Sequence, residues 1–199
     1  MNKVRKFQFA EHSRTLNEIK TYYDKVSDAL SCTYSDETNN NYNEMFLGMT
    51  NEEVVAERMA LAKELSMEGS FELLAYLENR FRTDCYIRCK KRYRDDLSKK
   101  FQKAYQNAHK IQYKIGLLDV IIDGWKDVLI KDHPHDSNIV NLVNGIKDMF
   151  QFRNWMAHGR YWSFPYAIGR HDFDTIWIMV NNVESFFEDK LLTYNNIGG

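Results

Sequence analysis

Apolar residues recur at steps of three and four along most of this chain, the spacing that gathers side chains on one face of an α-helix. Leu16, Ile19, Tyr23, Val26 and Leu30 form the first such face, and the polar stretch 35–41 after it reads as a mobile loop. Thr50 with Glu53 three residues later is a capping-box signature, opening a helix whose apolar side is Val54, Leu61 and Leu65. Gly69 and Ser70 read as a restart, after which Phe71, Leu74, Leu77, Phe81 and Cys85 form the stripe of a third helix. Asp95 and Asp96 mark the start of a fourth, with Leu97, Phe101, Ala104, Ala108, Ile111 and Ile115 inside it and Gly116 bending or ending it. Residues 117–130 continue as a helix or form a separate short one, and 131–136 form a turn. A helix over 137–158 follows, with Gly159 where a left-handed C-cap glycine belongs. The last helix begins near Asp172 or Asp174 and carries Ile176, Val180, Val183, Phe187 and Leu191 on one face. The two prolines, Pro134 and Pro165, fall in loops, and no segment alternates as a strand does. The pattern predicts an all-α bundle of about five to seven helices.

Composition narrows the class. Hydrophobic residues at 44% and charged residues at 28% are globular values, and no apolar run approaches the ~20 residues that cross a bilayer. Residues 1–11 lack the apolar core of a secretory signal, so the expected location is the cytoplasm, with no membrane contact. Cys32, Cys85 and Cys89 have neither zinc spacing nor an even count, and Cys85 and Cys89 read as reduced thiols one helical turn apart. The formal net charge of -1 gives no whole-molecule argument for nucleic acid. Between Arg80 and Lys103, however, ten basic residues stand against three acidic ones, either a phosphate-tracking face or a solvated helix surface. Lys90, Lys91 and Arg92 are its candidate substrate contacts.

The helix over 137–158 carries the candidate chemistry because its stripe is regular enough to show a break. Ile139, Val143, Ile146 and Phe150 step at helical period, and the next positions on that stripe are Arg153 and Asn154. Asn154 and His158 are four apart and share a face, with Arg153 at the flank. Arginine offers a planar donor fork that matches phosphate oxygens, and histidine moves a proton near neutral pH, so the trio suits phosphodiester cleavage without a metal or cofactor. The same residues equally suit a buried structural arginine held by a carboxylate or by helix-end carbonyls, with a histidine favourably placed at a helix C-terminus. The aromatics Tyr161, Trp162, Phe164 and Tyr166 that follow either stack unpaired bases or pack over the helix end. His133 and His135 read as solvated turn residues, and His171 as a polar residue before the last helix.

The segment Arg153-Asn154-Trp155-Met156-Ala157-His158 resembles the R-x4-6-H motif of the HEPN superfamily, and its place near the end of a long late helix, before a final helix, is similar too. The resemblance covers roughly residues 69–194. It implies a HEPN-like bundle over 67–199, with 1–66 an N-terminal helical extension. It further implies a metal-independent endoribonuclease of toxin or phage-defence type. In such an enzyme Arg153 stabilises the scissile phosphate, His158 moves a proton and Asn154 orients them. Arg160, Tyr161 and Trp162 join Lys90, Lys91 and Arg92 as substrate contacts, and Glu72 or Glu78 is the candidate acidic partner. The implied partners are RNA, a second copy in a homodimer, and an antitoxin or defence-system protein. A non-catalytic HEPN module that binds nucleotide or RNA, or serves dimerisation, is the alternative.

Overall fold

The computed structural model describes residues 14–35, 44–111, 115–159 and 171–193. Among these the protein is all-α, with no strand. Six α-helices follow in order: α1 Leu16–Thr33, α2 Asn51–Lys91, α3 Asp96–Ile111, α4 Asp123–Asp132, α5 Ser137–Ala157 and α6 Phe173–Phe187; a π-helix, Leu117–Ile122, leads into α4. The stretch 36–41 of the expected loop and the aromatic segment 160–170 lie outside the described residues. By backbone contacts the chain divides into two compact units: Thr15–Ala75 with Phe152–Asn181, and Tyr76–Gln151 with the described residues from Asn182 on. The expected extension boundary after residue 66 falls inside α2.

In the first unit α2 starts at its predicted signal, and α1 starts at a signal of the same kind that the stripe alone did not mark. Thr15 and Glu18 form a capping box on α1, and Thr50 and Glu53 form one on α2, where the Thr50 amide donates to Glu53 Oε2 at 2.7 Å. α1 runs antiparallel to the first half of α2. At one end Tyr34 Oη donates to Glu57 Oε1 at 2.8 Å, and Tyr34 is buried with Phe46 and Val54. At the other end Tyr23 stacks on Phe173 with ring centroids 3.5 Å apart.

The expected restart at Gly69 and Ser70 does not occur, because α2 runs through both residues unbroken. Gly69 is instead a close-approach site inside a helix: a Cβ there would lie 2.6 Å from Phe173 Cδ2 and 2.9 Å from Tyr23 Cδ2. Its neighbours fix the start of α6. Ser66 Oγ accepts from the Phe173 amide at 2.9 Å, and Ser70 Oγ lies 3.1 Å from the His171 carbonyl oxygen. The expected apolar side of early α2 is also only partly covered: Val54 is buried, but Leu61 is 43% exposed.

The second unit is packed around aromatic rings. Phe81 meets Phe150 and Phe187 edge-on, and Phe187 meets Trp125 the same way. Val143, Ile146, Ile121, Phe101 and Val183 complete the core. α3 ends at Ile111, so Ile115, expected inside it, lies outside the helix, and Gly116 in extended backbone precedes the π-helix, whose first bond goes from the Ile121 amide to the Gly116 carbonyl. α2 stops at Arg92, which takes a left-handed φ of 54°. Asp95 then caps α3, its Oδ1 accepting from the Ser98 amide at 2.9 Å and its Oδ2 from the Ser98 hydroxyl.

One polar hub is buried in this unit. Asp84, with no exposure, accepts from Arg88 Nε at 2.8 Å, Trp125 Nε1 at 3.2 Å and the Leu192 amide at 3.0 Å. Burial pushes its carboxyl above the usual range, against the pull of Arg88 and of the two other donors. Arg88 also lies over the Trp125 ring and donates to the Lys190 carbonyl. The three cysteines are free, with Cys85 buried and Cys89 half-buried. Contact with Cys89, then burial, pushes the Cys85 thiol up.

Candidate active site at the end of helix α5

The last turn of α5 presents the motif by anchoring the residues between its polar members. Phe152 and Trp155 are buried and stack on each other with centroids 5.8 Å apart. Phe152 also stacks on His171 at 4.6 Å. With those rings fixed, the helical repeat leaves Arg153 and Asn154 half-buried and His158 exposed. The main chain still follows the helix here, the His158 amide donating to the Asn154 carbonyl at 3.1 Å. Gly159, with φ of 80°, then turns the chain away as a C-cap glycine does.

Arg153 is oriented by an aromatic ring. Its Cζ stands 5.4 Å from the centroid of Phe71, a residue of α2 in the same unit. Its Nη1 lies 3.5 Å from Asn154 Oδ1, a long and weak hydrogen bond. Asn154 is thus next to Arg153 in space and one turn before His158. A guanidinium held partly out of water can neutralise an anion, and a solvent-exposed imidazole on the same helix end can exchange a proton with one.

The other candidate residues divide between the units. Glu72 follows Phe71 on α2, half-buried and in the unit that holds the motif. Glu78 belongs to the other unit, where its carboxylate accepts from Arg82 Nε at 2.6 Å. Lys90, Lys91 and Arg92 are exposed at the end of α2 in that second unit. Arg160, Tyr161 and Trp162 lie outside the described residues.

Much of the basic run has structural partners. Arg80 pairs with Glu184, Arg82 with Glu78 and Arg88 with Asp84, while Lys99 and Lys100 make surface ion pairs with Asp96 and Asp127. His171 was the least legible residue of the neighbourhood: it is buried against Phe152, and only its place directly before the helix-capping Asp172 hints at a fixed position. Among the described residues no three His, Cys, Asp or Glu side chains converge as metal ligands, and no helix is long and apolar enough to cross a membrane.

Comparison with known protein families, with curated proteins and with solved structures finds no match for this chain.

Proposed function

We propose that the chain is a HEPN-type endoribonuclease that cleaves RNA by attack of a 2′-hydroxyl, with Arg153, Asn154 and His158 as its working residues. The observation that carries the reading is Arg153, half-buried against Phe71 and in contact with Asn154, one turn before an exposed His158. Arg153 would neutralise the non-bridging phosphate oxygens as the 2′-oxygen adds to phosphorus. His158 would exchange a proton with the attacking or leaving oxygen, and Asn154 would hold the two side chains in register. The bond from phosphorus to the 5′-oxygen then breaks, giving a 2′,3′-cyclic phosphate and a 5′-hydroxyl. No step calls for a metal, because side chains supply both the positive charge and the proton transfer.

Each chain offers one motif histidine, whereas the reaction uses one group to remove a proton and one to return it. A two-fold homodimer that brings two motifs to one cleft supplies both. A toxin or phage-defence role, with an antitoxin or defence-system protein as partner, extends the reading by analogy with the superfamily. A second reading rests on the same Phe71 contact. An arginine stacked on a ring also serves a purely structural end, and the protein would then be a non-catalytic RNA-binding or dimerisation module.

The test is incubation of purified protein with total RNA in excess EDTA, with end-group analysis of the fragments. Cyclic phosphate and 5′-hydroxyl ends are expected. Cleavage that leaves 5′-phosphates, or that returns only with added divalent metal, would overturn the mechanism.

A further inference from the structure

The chemistry proposed at the end of α5 leaves one pair of nucleophilic side chains unused. Cys85 and Cys89 stand one turn apart in an unbroken stretch of α2, and so on the same side of the helix. Their surroundings differ. Cys85 is buried, directly after Asp84 of the polar hub, while Cys89 is partly open to solvent. The two thiols share a hydrogen bond in which Cys85 donates to Cys89. That bond holds the Cys89 thiol below the usual range, against its burial and the charge of Asp84, and it keeps the proton on Cys85.

Two thiols placed in this way have separate parts in oxidation. The one that is open to solvent and ionises first is the one an oxidant reaches, and the thiol beside it decides the fate of the product. Without such a neighbour, oxidation stops at sulfenic acid or goes on irreversibly to sulfinic acid. With one, a disulfide can close. Cβ atoms one helical turn apart are about 5–6 Å from each other, whereas a disulfide brings them to about 3.5–4.5 Å. Closure therefore draws in the turn from Cys85 to Cys89. α2 ends at Lys91, so the strain falls near a helix end, where local opening is least costly. Arg88 lies within that turn, its Nε on Asp84 and its guanidinium over the Trp125 ring.

We propose that Cys85 and Cys89 form a reversible oxidation site for hydrogen peroxide, with Cys89 as the reacting thiol, Cys85 as the resolving thiol, and disulfide closure straining the contact of Arg88 with Asp84. The Cys89 sulfur attacks one peroxide oxygen and the O–O bond breaks, leaving a sulfenic acid on Cys89 and releasing the other oxygen as water. The Cys85 sulfur then attacks the Cys89 sulfur. The S–O bond breaks, and the oxygen leaves with the Cys85 proton as a second water. In sum the two thiols give up two electrons and two protons, which reduce one peroxide to two waters. A bond closed under strain is readily reopened by thiol exchange, which returns both cysteines. The pair lies in the unit that does not hold the motif, and its test uses no RNA.

The experiment is peroxide titration of the full chain carrying Cys32→Ser, which removes the exposed third thiol, read by intact mass with dimedone as a trap for sulfenic acid. A product lighter by two hydrogens is expected, confined to single chains, carrying little trap and reverting fully with dithiothreitol. It should melt at a lower temperature than the reduced protein. Cys85→Ala in the same background should lose the lighter product and raise trapped sulfenic acid on Cys89 at least ~tenfold. Cys89→Ser, at the partly open position, should leave the mass unchanged, and it keeps the test decisive if the buried Cys85→Ala fails to fold. Added oxygen that persists while Cys85 is present would overturn the proposal. So would a disulfide between chains, oxidation as fast in Cys89→Ser as in its parent, or no reaction before the protein unfolds. An oxidised form that melts at or above the reduced one would overturn the link to Arg88 and Asp84.

Discussion

Replacing Gly69 with alanine sets two effects of opposite sign against each other. Alanine is the better helix former by about 1 kcal/mol in an interior position, so on an open helix the change would stabilise. Gly69 is not on an open helix. The new methyl would stand 2.6 Å from Phe173 Cδ2 and 2.9 Å from Tyr23 Cδ2, roughly 1 Å inside normal carbon contact. Phe173 has little room to retreat, since it is fully buried, stacked on Tyr23 and tied through its amide to Ser66 Oγ. Overpacking of this kind costs about 1–3 kcal/mol, and spoiling an aromatic pair adds about 0.5–1.5 kcal/mol. The clash therefore outweighs the propensity, leaving a net loss of about 2 kcal/mol, or about 4–8 °C in Tm for a chain of this size. Thermal denaturation followed by circular dichroism measures it. Ala62→Gly, on an exposed turn of the same helix, is the control for propensity alone and should cost about 1 kcal/mol. A Gly69→Ala variant that melts at or above the wild type would refute the close-approach reading of this glycine.

Asp84→Ala should cost about 3–5 kcal/mol in urea denaturation, because it leaves the largely covered Arg88 without its main partner and strips an acceptor from Trp125 and Leu192. An unchanged midpoint would show that the hub contributes nothing. Asp95 is held below the usual carboxylate range: its partial burial opposes ionisation, but its hydrogen bonds with Ser98 and the charge of Arg88 outweigh that. Its contribution is therefore full above the unfolded aspartate value of about 3.9 and fades as pH falls through the depressed folded value, so Asp95→Asn should flatten the acid limb of a stability profile. A profile in acid that does not change would contradict this. If both motif histidines of a dimer are needed, co-refolding equal amounts of wild type and His158→Ala should leave about one quarter of the activity of wild type refolded alone, whereas about one half would mean independent chains.

The parts of the fold that were legible in the sequence depend on neighbours within about four residues. The capping box at Thr50, the Asp95 and Asp172 caps, the Gly159 stop and the stripe from Ile139 to Phe150 are of this kind. The break of that stripe at Arg153 and Asn154 was visible for the same reason. Gly69 misled because its small size serves rings from Tyr23 and Phe173, far along the chain in both directions. The Phe71 ring under Arg153 and the stacking of His171 on Phe152 are equally non-local. The basic run looked like one feature, yet Arg80, Arg82 and Arg88 find carboxylates that helical packing and spacing bring to them, which charge counting does not foresee.

His158 gives the most direct test of the ribonuclease reading, because it is the motif's proton mover and lies exposed just past the end of α5. The measurement is the rate of RNA cleavage in EDTA by wild type and by His158→Ala, with the melting temperature of each protein recorded alongside. The account predicts at least a ~100-fold loss of rate with nearly the same melting temperature, the effect of removing a positioned proton mover. Equal rates from the two proteins, or no cleavage by the wild type, would contradict it.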